Sequence, residues 1–138
     1  MKVFLDTNII IDFYDKRDDF FYPAAVIFDL AHKKKIQLYV SAITFVNAFF
    51  ILRKSYSREE LYSSLNSLAS LCEITEVDKS IIKRCLDEGR KDFEDRVQYE
   101  SATLHQVDVV VTRNIKDFKD FADNICTPTD FLENILKD

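Results

Sequence analysis

Two acidic positions in this sequence stand where a carboxylate could take part in chemistry. Asp6 directly follows the short β-like run 2–5, and Asp95 lies in the acidic segment Asp92–Asp95. A carboxylate that follows a strand of a parallel sheet points into the cleft at the carboxyl edge of that sheet. Asp6 could equally cap the next helix, because Asp is a good N-cap residue. Both interpretations of Asp6 stay open from the residue alone.

The segment Asp92–Asp95 also has two interpretations. Asp92 at the N-cap and Asp95 at the third helical position resemble a capping box, and acidic residues favour the positive end of a helix. Alternatively, Asp95 projects from the first helical turn towards Asp6 and shares a helical face with Tyr99 and Ala102. Spacing alone favours the capping interpretation.

Polar residues near other predicted elements could complete such a site. Asn114 and Asp117 follow a β-branched run that ends at Thr112, although Asn and Asp are also common in turns. Asn47 lies in the apolar segment 43–53, which we predict to be a buried helix. A buried amide without hydrogen-bond partners costs about 1–3 kcal/mol. We therefore expect Asn47 either to bond to nearby backbone or to line a polar cleft.

Together these residues describe oxygen ligands at one edge of a sheet, and Mg²⁺ or Mn²⁺ prefers such ligands. Two-metal hydrolysis of phosphodiesters needs a site of this kind. His32 and His105, the only histidines, are expected to pack or to face solvent, so no triad competes. A phosphatase that uses Asp6 as a covalent nucleophile is less favoured, because its acid is wanted at position 8, which is Asn.

The elements that must position these residues alternate between strands and helices. We predict strands over 2–5, 36–40, 73–77, 108–112 and, weakly, 124–127, with helices between them. Ser57 with Glu60 predicts a capping box, and Gly89 predicts a helix C-terminus. This alternation indicates an α/β fold whose parallel sheet is covered by helices on both faces.

Composition limits the classes of function. The 138 residues fit one domain, with a net charge of −5 and a pI of about 5.1. An acidic chain is not a non-specific nucleic-acid coat, but it can act on nucleic acid through metal ions. A single glycine excludes Gly-rich phosphate loops. The three cysteines show no paired spacing, and the apolar segments are short, so we expect reduced thiols, a cytoplasmic location and no membrane span.

Four segments, in this order, resemble the PIN-domain family and, within it, the VapC-like toxin ribonucleases. The resemblance extends over nearly the whole chain, so we expect residues 1–138 to form a single PIN-like domain. The segments are Phe-Leu-Asp-Thr-Asn-Ile-Ile-Ile-Asp (4–12), Val-Ser-Ala-Ile-Thr-Phe-Val-Asn (40–47), Asp-Phe-Glu-Asp-Arg-Val-Gln (92–98) and Val-Thr-Arg-Asn-Ile-Lys-Asp-Phe (111–118).

The resemblance implies a three-layer α/β/α sandwich with a parallel PIN-like central sheet and Mg²⁺- or Mn²⁺-dependent cleavage of RNA. It implies a homodimer and an antitoxin protein as partners. The implied catalytic residues are Asp6, Asp95 and Asp117, with Asn114 as a further metal ligand. Arg96, Arg113 and Lys116 could bind RNA phosphates or pair with neighbouring acids. The remaining implied substrate-site residues are Asn8, Asn47 and Thr112.

Two positions depart from the family pattern. Position 47 is Asn where the family usually has Glu, and position 114 is Asn where many members have Asp. An amide offers one neutral carbonyl oxygen, so both departures should weaken metal binding. Glu94 or Asp92 could compensate. The alternative is a catalytically weak or inactive PIN-like module that binds RNA or protein.

Overall fold

The computed structural model describes residues 1–136, and its strands form one parallel sheet. The strands are β1 (Lys2–Leu5), β2 (Gln37–Ser41), β3 (Cys72–Thr75), β4 (Val109–Val111) and β5 (Ile125–Cys126). Their spatial order is β3-β2-β1-β4-β5, and each neighbouring pair is parallel. Because β1 lies at the centre, the residues that follow β1 and β4 meet at the middle of the carboxyl edge.

Helices connect the strands throughout the described residues. They are α1 (Thr7–Tyr14), α2 (Asp18–His32), α3 (Ala42–Leu52), α4 (Arg58–Leu71), α5 (Lys79–Glu88), α6 (Phe93–Thr103), α7 (Ile115–Phe118) and α8 (Pro128–Asp130), and α8 continues as a π-helical turn over Phe131–Ile135. Local signals in the sequence define several of these ends. The capping box of Ser57 and Glu60 starts α4, and Gly89 ends α5 with a positive φ of 63°.

The central strands are buried on both faces, as expected for a parallel sheet between helices. Val3 and Leu5 point into the larger core, together with buried residues of α1 and α2. Phe4, between them, points to the opposite face and packs with Ala102 of α6 and Phe118 of α7. This alternation along β1 confirms the three-layer α/β/α sandwich that the sequence predicted.

The prediction that α3 is buried all round is wrong. Val46 is 70% exposed, and Phe50 and Ile51 are also exposed. Only Thr44, Ala48 and Leu52 are buried, which is the narrow inward stripe of a surface helix. The error arose because apolar residues cover the outer face of α3 as well as its inner face.

The predicted capping role of Asp92 is also wrong. Asp92 stands at the N-cap position of α6, but its side chain makes no capping hydrogen bond. Instead, its carboxylate accepts hydrogen bonds from the Arg90 guanidinium at 2.9 and 3.4 Å. The Arg90 guanidinium, two residues away, therefore replaces the backbone amides as the hydrogen-bond donor to Asp92.

Two further findings concern the thiols and the membrane. Cys85 and Cys126 are buried and Cys72 is partly buried, all as free thiols. Burial raises the pKa of Cys72 and of Cys126 to about 12, which keeps these thiols protonated. Over residues 1–136, none of the helices combines the length and the apolar character that crossing a bilayer requires.

Candidate active site

Asp6 satisfies both interpretations that its sequence position left open. It is the N-cap residue of α1, and its Oδ1 accepts a hydrogen bond of 2.8 Å from the Thr7 backbone amide. Its Oδ2 accepts hydrogen bonds from Thr112 Oγ1 at 2.8 Å and from Asn8 Nδ2 at 3.4 Å. Asp6 as a residue is only 3% exposed, yet it lines an open cavity at the carboxyl edge of the sheet.

Asp95 reaches the same cavity from the first turn of α6. For Asp95, the geometry agrees with the interpretation in which this residue projects towards Asp6. The cavity has a volume of about 320 Å³ and lies between α1, α3, α6 and the loop after β4. Its lining residues are Asp6, Thr7, Asn8, Ile11, Arg17, Ile51, Glu94, Asp95 and Asn114.

Burial and mutual repulsion make both carboxylates hold their protons more tightly. Desolvation raises the pKa of Asp6 to about 6, although the hydrogen bonds from Thr112 and Thr7 oppose this shift. Desolvation also raises the pKa of Asp95 to about 7, with further contributions from the charges of Asp6 and Asp117. Acidic groups that repel one another in a partly desolvated cavity favour the arrival of a cation.

The donor set fits a hard divalent ion. Within residues 1–136, neither Asp6 nor Asp95 forms an ion pair with a basic side chain. The same described residues contain no group of three or more acidic, histidine or cysteine side chains that are placed to bind one metal ion. Mg²⁺ keeps several water ligands and commonly uses one or two protein carboxylates, so the pair of Asp6 and Asp95 suits it.

A family model described as the PIN domain matches residues 2–116, which is most of the chain. This chain belongs to the PIN domain family. Ribonuclease VapC1 of Aquifex aeolicus (strain VF5) is 24% identical over 137 residues, covering 96% of this chain and 94% of that protein.

Two solved structures have a similar fold. A toxin-antitoxin complex from Klebsiella pneumoniae matches with a TM-score of 0.66 and 22% identity, covering 91% of this chain and 97% of that one. VapBC2 from Rickettsia felis, bound to a DNA fragment from its promoter, matches with a TM-score of 0.62 and 25% identity, covering 92% and 97%. They support the α/β fold of a PIN domain for this chain.

Other predicted site residues of this PIN domain lie around the two aspartates. Asn8 and Thr112 hydrogen-bond to Asp6, and the Asn114 backbone amide donates to Thr112 Oγ1 at 3.0 Å. Asp117 is exposed at the start of α7, and its charge raises the pKa of both Asp6 and Asp95. Lys116 is exposed on the same turn and does not line the cavity.

Asn47 is half-buried rather than fully buried. Its Nδ2 donates a long hydrogen bond of 3.4 Å to Glu94 Oε1. Glu94 lines the cavity, whereas Asp92 is held by Arg90. Of the two acids expected to compensate for the missing Glu at position 47, Glu94 is therefore the better placed.

Two arginines that could have bound phosphate are engaged inside the protein. Arg96 pairs with Glu88 at 2.9 Å and with Glu100 at 2.9 Å. Arg113 binds Asp12 through two bonds, from Nε at 2.5 Å and from Nη2 at 3.0 Å. For both arginines, the structure favours the alternative in which they pair with neighbouring acids.

Sequence reasoning missed a buried polar network beneath the cavity. Gln98 is fully buried and donates hydrogen bonds to Thr7 Oγ1 at 2.8 Å and to Thr44 Oγ1 at 2.9 Å. Its Oε1 accepts a short hydrogen bond from Ser41. The network joins the first turns of α1 and α3 to α6. One signal was available, because Gln98 lies three residues after Asp95 and thus on the same side of α6.

Proposed function

We propose that this chain is a metal-dependent endoribonuclease of the PIN/VapC-like toxin type, which hydrolyses phosphodiester bonds of RNA with Mg²⁺ or Mn²⁺. The observation that carries the proposal is the pair Asp6 and Asp95. These carboxylates line one cavity from two different elements. Among the described residues, neither carboxylate is paired with a basic side chain. A divalent cation is the partner that relieves their repulsion.

The residues of the chain have distinct parts in this proposal. Asp6 and Asp95 would hold the metal ion, with Asn114 and water completing its shell. Asp117 does not line the cavity and would contribute through its negative charge. A bound divalent ion would lower the pKa of an attacking water and stabilise the leaving oxygen. Thr112 and Asn8 hold the Asp6 carboxylate in place through hydrogen bonds.

The buried Gln98 network adds rigidity beneath the site. Because Gln98 binds the hydroxyls of Thr7 and Thr44, it fixes the start of α1, where Asp6 stands, against α6, which carries Asp95. A metal site needs its ligands held by such outer contacts. The network therefore supports the spacing of the two carboxylates.

The relatives support the choice of substrate and partners. One curated relative is named a ribonuclease, and one similar structure is a toxin-antitoxin complex. The other similar structure is VapBC2 bound to a promoter DNA fragment. We extend this to an RNA substrate, an antitoxin protein as a partner, a homodimer and a cytoplasmic location. We also propose that residues 1–138 act as a single PIN domain.

An alternative function is a PIN-like module that binds RNA or protein with weak or no catalysis. One observation favours it: within the described residues, the amides at positions 47 and 114 stand where the family pattern has carboxylates, and no third acid joins Asp6 and Asp95 in a cage. This alternative predicts RNA binding that does not change when metal is chelated.

Calorimetric titration with Mn²⁺ tests the proposal directly. The wild type is compared with Asp6→Asn and with Asp87→Asn, which removes an exposed acid of α5 outside the cavity. We expect Mn²⁺ binding in the wild type and in Asp87→Asn, and its loss in Asp6→Asn. The wild type and Asp87→Asn are then also expected to cleave total RNA in the presence of Mn²⁺.

The possible results separate the two functions. Mn²⁺ binding with RNA cleavage that Asp6→Asn and Asp95→Asn abolish supports the nuclease. RNA binding without Mn²⁺ binding supports the non-catalytic module. Cleavage that survives both substitutions, in folded variants, would show that the acidic cavity is not the active site.

A further inference from the structure

Arg17 occupies a distinctive place in the cavity that holds Asp6 and Asp95. Among residues 1–136, it is the basic side chain that lines this cavity, and the other charged lining residues are acidic. Arg17 comes from the loop between α1 and α2. An anionic substrate that approaches these carboxylates needs a nearby cation to offset the repulsion.

The donors of Arg17 are largely uncommitted. The neighbouring acid, Asp12, already receives two bonds from Arg113. Arg17 Nη1 stands 4.0 Å from Asp12 Oδ1, too far for a hydrogen bond, and the Arg17 side chain is 43% exposed. Within the described part of the chain, its guanidinium donates only from Nε, at 3.4 Å to Asp15. Arginine has five N–H donors, so most of them remain available to a ligand.

The backbone holds Arg17 at the cavity through a strained turn. Lys16 and Asp18 both have positive φ values, 50° and 20°, although neither is glycine. The Arg17 amide donates to the Asp12 carbonyl at 3.1 Å, and the Arg17 carbonyl accepts from Phe20 at 2.8 Å. Such conformations cost free energy and persist where the surrounding structure imposes them, often at functional sites.

We propose that Arg17 binds a phosphate of the RNA substrate beside the Asp6–Asp95 carboxylates; this role rests on the proposed nuclease function. The guanidinium fork matches two phosphate oxygens and stays charged. Arg96 and Arg113 do not fill this role, because each donates at least two hydrogen bonds to acids within the fold. Within residues 1–136, Arg17 donates one, at 3.4 Å. Phosphate binding is therefore assigned to Arg17, which the sequence pattern did not single out.

Binding of a short fluorescein-labelled single-stranded RNA of mixed sequence tests this role. Anisotropy is measured with Ca²⁺ in the buffer for the wild type, Arg17→Ala, Arg17→Lys and Lys16→Ala. Lys16→Ala is the matched control, because it removes the same charge from the same loop but does not line the cavity. All variants are also titrated with Mn²⁺ and melted, and Asp12 keeps Arg113 as its partner in each of them.

We expect Arg17→Ala to weaken RNA binding about tenfold, since it loses charge-assisted hydrogen bonds. The slope of log affinity against log salt should fall by about 0.7, as for one phosphate of a single strand. Arg17→Lys should keep the salt slope and lose part of the affinity, because it keeps the charge but not the fork. Lys16→Ala should match the wild type in RNA affinity, and every variant should still bind Mn²⁺.

The contrary results distinguish this inference from the proposed function. Wild-type RNA affinity in Arg17→Ala overturns the role of Arg17 and leaves the metal site standing. Equal losses in Arg17→Ala and Lys16→Ala overturn it as well, because they indicate only bulk charge. A wild type that binds no RNA overturns both the role and the nuclease proposal. If Arg17→Ala does not fold, the RNA affinity of Arg17→Lys is compared with that of the wild type instead.

Discussion

Arg113 and Asp12, separated by 101 residues in the sequence, form a bidentate ion pair outside the lining of the cavity that holds Asp6 and Asp95. The Asp12 side chain is 1% exposed, whereas the Arg113 side chain is 25% exposed. The guanidinium also stacks over the Phe20 ring at 4.1 Å. This pair ties α1 to the loop that carries Asn114, so it links two sides of the candidate active site.

The unequal burial of this pair predicts unequal costs of breaking it. Arg113→Ala leaves a buried carboxylate with only a distant partner, and we expect it to cost about 3–5 kcal/mol of unfolding free energy. Asp12→Asn leaves a guanidinium that water can reach, and we expect a cost of about 1–2 kcal/mol. Urea unfolding at neutral pH measures both costs. A larger cost for Asp12→Asn would contradict this account.

Asp6→Asn should stabilise the metal-free protein at alkaline pH. The folded-state pKa of Asp6 is raised from 3.8 to about 6, so ionisation of Asp6 is disfavoured by folding. Its contribution to stability is highest below pH 4 and is lost as the pH rises through about 6. At pH 8 the variant should gain about 2–3 kcal/mol, from 1.36 kcal/mol per pKa unit. Denaturant unfolding in a chelator should show this gain shrinking towards pH 4, with no gain in Asp87→Asn.

Mn²⁺ affinity should rise with pH through the same range. Asp6 and Asp95 hold protons with pKa values of about 6 and about 7, and a metal ion must displace those protons. We expect the apparent affinity to increase about tenfold or more between pH 5.5 and 7.5 and then to level off. Calorimetry in buffers of different ionisation enthalpy should detect proton release near pH 6.5. An affinity that is constant across this range would argue against these two ligands.

Asn47→Glu should raise the affinity of the site for Mn²⁺ and destabilise the metal-free protein. Asn47 lies 3.4 Å from the Glu94 carboxylate, so a Glu there adds negative charge at the cavity edge. We expect Mn²⁺ affinity to rise about tenfold because ligand charge tunes divalent-ion affinity. Without metal, like-charge repulsion should lower the melting temperature.

Asn47→Gln is the matched control for this substitution, because it adds the same length without charge. It should leave both Mn²⁺ affinity and the metal-free melting temperature near those of the wild type. If Asn47→Glu and Asn47→Gln bind Mn²⁺ alike, position 47 is too far from the ion to act as a ligand.

Local sequence patterns predicted most of the fold. The β-branched run that ends at Thr112, the capping box at Ser57 and the helix end at Gly89 all depend on near neighbours in the chain. All three predicted features are found in the structure, the run as the strand Val109–Val111. The prediction for α3 failed because burial depends on what covers a helix. The two faces of α3 are too similar in hydrophobicity for the sequence to reveal which of them is exposed.

The sequence alone determined the fold class and the acidic character of the site, because both follow from alternating periodicity and from residues at strand ends. Only the tertiary structure decided which polar side chains face one another. It paired Asp12 with Arg113, placed Gln98 between Thr7 and Thr44, and left Arg17 at the cavity. Such contacts join distant segments of the chain, and their geometry arises from the packing of helices on the sheet rather than from local propensity.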